Sequence, residues 1–154
     1  MNETKDHPKI ANPPLLVLST LVIGWLLNLV IPLPIMPQDA ARIVGVAVFL
    51  SGFLIGIPAF IQMRRFHTSP NPYKPTTALV EGGPFNFTRN PIYLSFFVHY
   101  TGIAIYANTA WCLFLLPVLI ELITELAVIP EENYLEQKFG AAYSEYKKRV
   151  RMWI

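Results

Sequence analysis

The sequence predicts an all-α, polytopic membrane protein, with about four transmembrane helices followed by a C-terminal amphipathic helix on the cytoplasmic side. Three observations carry this. Of its 154 residues 53% are hydrophobic and only 14% charged, against roughly 25% charged in a soluble domain. The apolar residues stand in long uninterrupted blocks, as a bilayer requires. Lysine and arginine concentrate in the segments between alternate blocks, as the positive-inside rule expects. So apolar a chain is not intrinsically disordered, and its length is that of one domain, residues 1–154. Cys112 is the single cysteine, which excludes an intramolecular disulfide. No Cys/His cluster has the ligand count of a metal site.

The first block, residues 13–31 (PPLLVLSTLVIGWLLNLVI), is long enough to cross most of a hydrocarbon core of roughly 30 Å. Glu3 and Asp6 stand beside the lysines that precede it and no small-residue cleavage site follows. It therefore reads as a retained anchor, not a secretory signal. Prolines 32, 34 and 37 end it and turn the chain back. The second block, 43–63, stops at Arg64 and Arg65. Its Gly45, Gly52 and Gly56 offer a small-residue face for close packing, within the chain or against a second copy. The third and fourth blocks, 91–107 and 111–129, are separated by so short a link that they must form an antiparallel hairpin.

With a cytoplasmic amino terminus, four spans place Lys5, Lys9, Arg64, Arg65, Lys74, Arg89, Lys138, Lys147, Lys148, Arg149 and Arg151 on the cytoplasmic side and leave only Arg42 outside. Both polar stretches, the loop 64–90 and the tail 130–154, then face the cytosol, as do both termini. The net charge of +2 suits contact with anionic headgroups of membrane lipids and calls for no nucleic acid.

Three stretches are candidates for chemistry. In LVEGGPFNFTRNPIYLS, residues 79–95, the local reading is a Gly82-Gly83-Pro84 turn, an Asn90 N-cap and Pro91 as first helical residue. The same stretch offers close backbone approach, the Arg89 cation and a free helix N-terminus, a combination suited to an anionic group. Pro130-Glu131-Glu132 reads locally as a helix start with two favourably placed acids. Alternatively, these carboxylates accept hydrogen bonds from the hydroxyls or ammonium of a polar cofactor. In the tail, Leu135, Phe139, Ala142, Tyr143, Tyr146, Val150 and Trp153 recur at helical spacing among basic residues. That is an amphipathic helix lying on the membrane or folded back over the bundle, with Gly140 marking a bend or a close contact. Within the apolar blocks, Asn28, His99, Glu121 and Glu125 are costly intruders. Glu121 is expected to face the bundle interior, paired with His99 or water.

The run GPFNFTRNPIYLS resembles the GPYRYxRHPxYxG signature of the integral-membrane methyltransferases that include isoprenylcysteine carboxyl methyltransferase and the phospholipid methyltransferases. EENYLEQKFGAAYSEYKKRVRMWI is similar to their EExxLxxxFGxxYxxYxxxVxRW tail, so the two motifs, in order, cover residues 79–154. The resemblance implies S-adenosylmethionine held on the cytoplasmic side and methylation of a membrane-embedded acceptor, either a prenylcysteine-like carboxylate or a phospholipid amine. By position it implies cofactor contacts from Gly83, Pro84, Arg89, Asn90, Pro91, Tyr93, Glu131, Glu132 and Tyr146. Arg89, Glu132 and Arg149 would act in catalysis, with Arg89 or Arg149 on the cofactor carboxylate and Tyr93 positioning. Two residues depart from the pattern: Asn90 replaces histidine and Ser95 replaces glycine. Asparagine hydrogen-bonds but does not titrate near neutrality, so position 90 keeps a positioning role and not that of a base. A related C-terminal signature occurs in the much longer, nicotinamide-dependent sterol reductases. A non-catalytic membrane scaffold of the same fold is the alternative of another class, and cofactor binding discriminates it.

Overall fold

The computed structural model describes residues 10–69, 71 and 74–154; Lys5 and Lys9, counted in the charge partition, lie outside them. Among the described residues the chain is all-helical: α1 (Pro13–Val30), α2 (Gln38–Arg65), a 3-10 turn (Gly83–Asn86), α3 (Pro91–Tyr106), α4 (Ala110–Ile123), a π-helical turn (Thr124–Val128), α5 (Ile129–Phe139) and α6 (Ala141–Arg149). Asn12 caps α1 by accepting from Leu15 N–H, and Pro13 and Pro14 occupy its first turn. The outer faces of α1 and α2 expose large apolar side chains such as Leu18, Trp25, Leu29, Leu50 and Leu54. An aqueous surface would not carry so broad a patch. The chain is an integral membrane protein.

Three stretches are long and apolar enough to cross a bilayer: α1, α2, and the combined helix Ala110–Phe139. At 16 residues α3 reaches only about 24 Å. It is the most enclosed of the four packed helices and lies antiparallel along α2. There Gly45 sits against the Tyr106 backbone and Gly102 against the Phe49 backbone, so closely that a Cβ at either place would overlap its neighbour. Further down the same seam Gly52 faces the His99 ring and Gly56 faces Ser95. The small-residue face of α2 is therefore used within the chain. Ser95, the departure from glycine, is a packing position matched by Gly56 across the crossing.

One end of the bundle is closed by Asn108, held at φ 53°. Its Oδ1 accepts from Ile35 N–H (2.9 Å) and Met36 N–H (3.2 Å), while Nδ2 donates to Met36 C=O (2.9 Å) and Gln38 Oε1 (3.1 Å). Trp111 Nε1–H donates to Ile31 C=O at 2.8 Å. The link between α3 and α4 thus grips the proline-rich return between α1 and α2.

Several expectations need correction. The acids at 131 and 132 do not start a helix, because α4, the π-helical turn and α5 run on as one helix from Ala110 to Phe139. Pro130 is accommodated within it. It has no N–H to give the Leu126 carbonyl four residues back, and that carbonyl accepts from Ala11 N–H instead, at 2.9 Å. The tail is not one helix. Gly140, at φ 55° and ψ −124° with nothing within 4 Å of its would-be Cβ, breaks it between α5 and α6, so it is a bend and not a contact. Glu121 does not face the interior: it and Glu125 lie on the exposed face of the long helix. His99 packs against α2, between the rings of Phe49 and Phe53, and its Nδ1–H donates to Ser95 C=O.

Candidate functional site

At the end opposite Asn108, two segments far apart in sequence meet. Gly82 and Gly83, both at positive φ, turn the chain into the 3-10 turn and leave Phe85 buried against Ala59 and Val80. This sets residues 88–90 alongside the last residues of the chain. Arg89 N–H donates to Arg151 C=O (2.9 Å), Thr88 Oγ1 to Met152 C=O (2.8 Å) and Asn90 Nδ2 to Met152 C=O (3.1 Å). Trp153 then packs on Phe97, ring centroids 5.2 Å apart. The tail folds back over the bundle.

The Asn90 side chain does not cap α3, as the local signals suggested, because its amide is spent on the tail. The residue that departs from histidine holds two segments together.

Arg89 and Glu132 form a buried ion pair across this junction. Nε donates to Oε1 at 2.8 Å and Nη2 to Oε2 at 3.1 Å, with side-chain exposures of 9% and 8%. Nη1 donates to Val150 C=O at 2.6 Å. Such two-pronged geometry is what makes a buried pair tolerable, since every charge taken out of water is met at short range. Lys147 lies 4.0 Å from Glu132 and pairs with Glu136 at 3.0 Å, extending the network along α5 and α6.

Glu131, one residue away, is placed differently. Its Oε2 accepts from the Tyr93 hydroxyl at 2.8 Å, and among the described residues no cation pairs with it. Tyr146 donates its hydroxyl to Phe85 C=O at 2.7 Å. Burial pushes the Tyr146 and Tyr143 phenols well above their ordinary range, so both stay neutral donors.

These groups line a cavity of about 390 Å³, within the size range of small-molecule sites. Its polar side carries Arg89, Asn90, Tyr93, Glu131, Glu132, Tyr143 and Tyr146. Its apolar side is built from Met63, Ile92, Phe96 and Leu135, with Pro13 and Pro14 from the start of α1. Of the residues singled out in the sequence, Arg89, Asn90, Pro91, Tyr93, Glu131, Glu132 and Tyr146 converge here. Gly83 and Pro84 shape the turn without lining the cavity. Arg149 is also elsewhere: its side chain is 62% exposed and donates to Glu81 Oε2 at 2.7 Å. Tyr143 belonged to the tail's apolar stripe, where nothing marked it as a wall of a site. Residues 12–14 carried no signal beyond helix initiation.

Residues 40–142 match the phospholipid methyltransferase family. The chain belongs to this family. The matched interval runs from α2 into α6 and contains Arg89, Tyr93, Glu131 and Glu132, but neither α1 nor Tyr146. A shorter match is to an uncharacterized protein of Haemophilus influenzae (strain ATCC 51907 / DSM 11121 / KW20 / Rd), 43% identical over 37 residues. It covers 24% of this chain and 59% of that protein. No solved structure matches the chain. What unites this phospholipid methyltransferase family member's two motifs is therefore seen in its own geometry: the arginine of the first is the ion-pair partner of the second glutamate of the other.

Proposed function

We propose that this protein transfers a methyl group from S-adenosylmethionine to an amine-bearing lipid at the cytoplasmic face of the membrane. The observation that carries the reading is the charge of the cavity wall. Arg89 and Glu132 neutralise one another, leaving Glu131 as the carboxylate open to a ligand. An acceptor that is itself a carboxylate needs a free cation, and the one guanidinium among the described lining residues is already committed. A lipid ammonium finds an anion there.

The residues present fit the cofactor. The cavity is large enough for a nucleoside-sized ligand, and its aromatic walls at Tyr93, Phe96 and Tyr143, with the Glu131 carboxylate beside them, suit a sulfonium cation. S-adenosylmethionine supplies an electrophilic methyl on positively charged sulfur, so displacement depends chiefly on alignment. An ammonium must lose a proton before its nitrogen can attack, and Glu131 is the group in the cavity able to take one. Tyr93 holds that carboxylate in place. Arg89 and Glu132 fix the two walls relative to each other, and Met63, Ile92 and Phe96 offer the lipid chain an apolar bed. Arg149 has no part in this arrangement.

The orientation follows from charge. Arg64, Arg65, Arg89 and the basic tail share the cavity end, whereas Arg42 lies at the other, which the positive-inside rule places outside. A reporter fused after Ile154 should read cytoplasmic. The reaction is tested by calorimetric titration of S-adenosylmethionine into detergent-solubilised protein, followed by radioactive methyl incorporation into an ethanolamine phospholipid and into a prenylcysteine analogue. Incorporation into the phospholipid supports the reading, and incorporation into the prenylcysteine alone refutes the amine assignment. Absence of cofactor binding at millimolar concentration leaves a scaffold of the same fold.

A further inference from the structure

We propose that the π-helical turn Thr124–Val128 is a positioning element of the site. By holding one residue more than an α-helical turn, it rotates Glu132 from the lipid face of the long helix, and Glu131 from its flank, into the cavity. The inference rests on the reading above for its consequence, but its geometry stands apart from it.

A regular α-helix advances about 100° per residue. Measured from the fully buried Ile123, Glu121 and Glu125 fall roughly 160° away on either side, and both are exposed. Continued without interruption, Glu132 would fall roughly 180° from Ile123 and join that outward carboxylate stripe. It is instead buried against Arg89.

The buried stripe shows where the phase changes. It runs through Leu119, Ile123 and Ala127, then shifts by one residue to Val128 and Glu132. At that shift Ile129 N–H bonds Thr124 C=O five residues back, so the turn holds one extra residue, worth about 100° of rotation. That brings Glu131 into line below Ile123 and Glu132 onto the shoulder where Arg89 lies.

Pro130 and Ala11 keep the turn wide. Pro130 has no N–H with which to restore the α-helical bond to Leu126 C=O, and Ala11 N–H occupies that carbonyl at 2.9 Å. The segment leading into α1, which lies outside the family match, thus secures the orientation of the acids.

The test separates spacing from residue identity. Deletion of Glu125 removes the extra residue at an exposed position. Insertion of an alanine after Val128 adds one. The chain carrying both changes has its original length. In the original chain, Glu132→Gln should lower the melting temperature by about 6 °C or more, because it strands a buried guanidinium. In the Glu125 deletion, S-adenosylmethionine affinity should fall roughly 10- to 100-fold, and adding Glu132→Gln should shift melting by less than about 2 °C. In the doubly changed chain both the affinity and the Glu132 effect should return. Retention of the Glu132 effect in the deletion overturns the proposal. So does failure of the length-restored chain to regain it, whether or not the single changes fold. The melting readout needs no ligand, so failure of the cofactor reading would show separately, as absence of binding to the unaltered protein.

Discussion

At one end of the bundle a neutral side chain, Asn108, gathers four hydrogen bonds and joins two interhelical links. At the other, a buried ion pair between Arg89 and Glu132 joins two segments and borders a cavity. Both are long-range polar ties, and their difference lies in what surrounds them. Asn108 meets three backbone groups and the Gln38 side chain at short range and leaves no carboxylate or cation over. The ion pair stands next to a second carboxylate, Glu131, whose neighbours are a phenol and open volume. At the sealed end the Asn108 amide is fully met, though the neighbouring Thr109 hydroxyl is buried without a partner among the described residues, whereas the site keeps a carboxylate in reserve.

The largest effect is expected where charge is buried. Glu132→Gln should cost about 3–5 kcal/mol of stability, because the Arg89 guanidinium is left buried without its counter-ion. Thermal unfolding in detergent, read by far-UV circular dichroism, checks this. Replacing both partners together should cost less than the single change.

Asn108→Ala comes next, with a loss of about 2–3 kcal/mol from stranded Ile35, Met36 and Gln38 groups. It is expected to lower the melting temperature without changing cofactor affinity. A parallel loss of affinity would erase the distinction between the two ends.

Glu131→Gln reverses that pattern. Cofactor affinity should weaken by roughly 1.5–3 kcal/mol, the range for a hydrogen bond to a charged group, while stability changes by less than about 1 kcal/mol. The smallest effect belongs to Tyr93→Phe, which removes one hydroxyl from Glu131. It should cost about 1 kcal/mol in affinity and be read in the same titration.

Much of this was written locally in the chain. The apolar blocks, the Gly82-Gly83 turn and the short link at residues 107–109 depend on composition and on neighbours close in sequence, so they were legible. So was the convergence of two motifs on one end, through charge partition and the family resemblance. Other features arise from partners the sequence does not place side by side. Arg89 and Glu132 are 43 residues apart, and only folding reveals that each uses up the other. Asn90 reads as a cap because its preference for that role is local, yet a carbonyl of the tail, 62 residues on, competes successfully for its amide. The wide turn has no compositional mark beyond Pro130, whose missing N–H suggested a helix start and not an accommodated interruption. The cost of lipid-facing charge argues for Glu121 facing inward, but helix phase, set by Leu119 and Ile123, turns it out.

The central claim is that Glu131 is the carboxylate this cavity leaves open, meeting the positive charge of the methyl donor and then taking the proton of the amine. Calorimetric titration of S-adenosylmethionine into the purified protein and into its Glu131→Gln variant tests it most directly. The account predicts saturable binding to the first and an affinity roughly 10- to 100-fold weaker in the second at unchanged melting temperature. Equal affinities in the two proteins would contradict it.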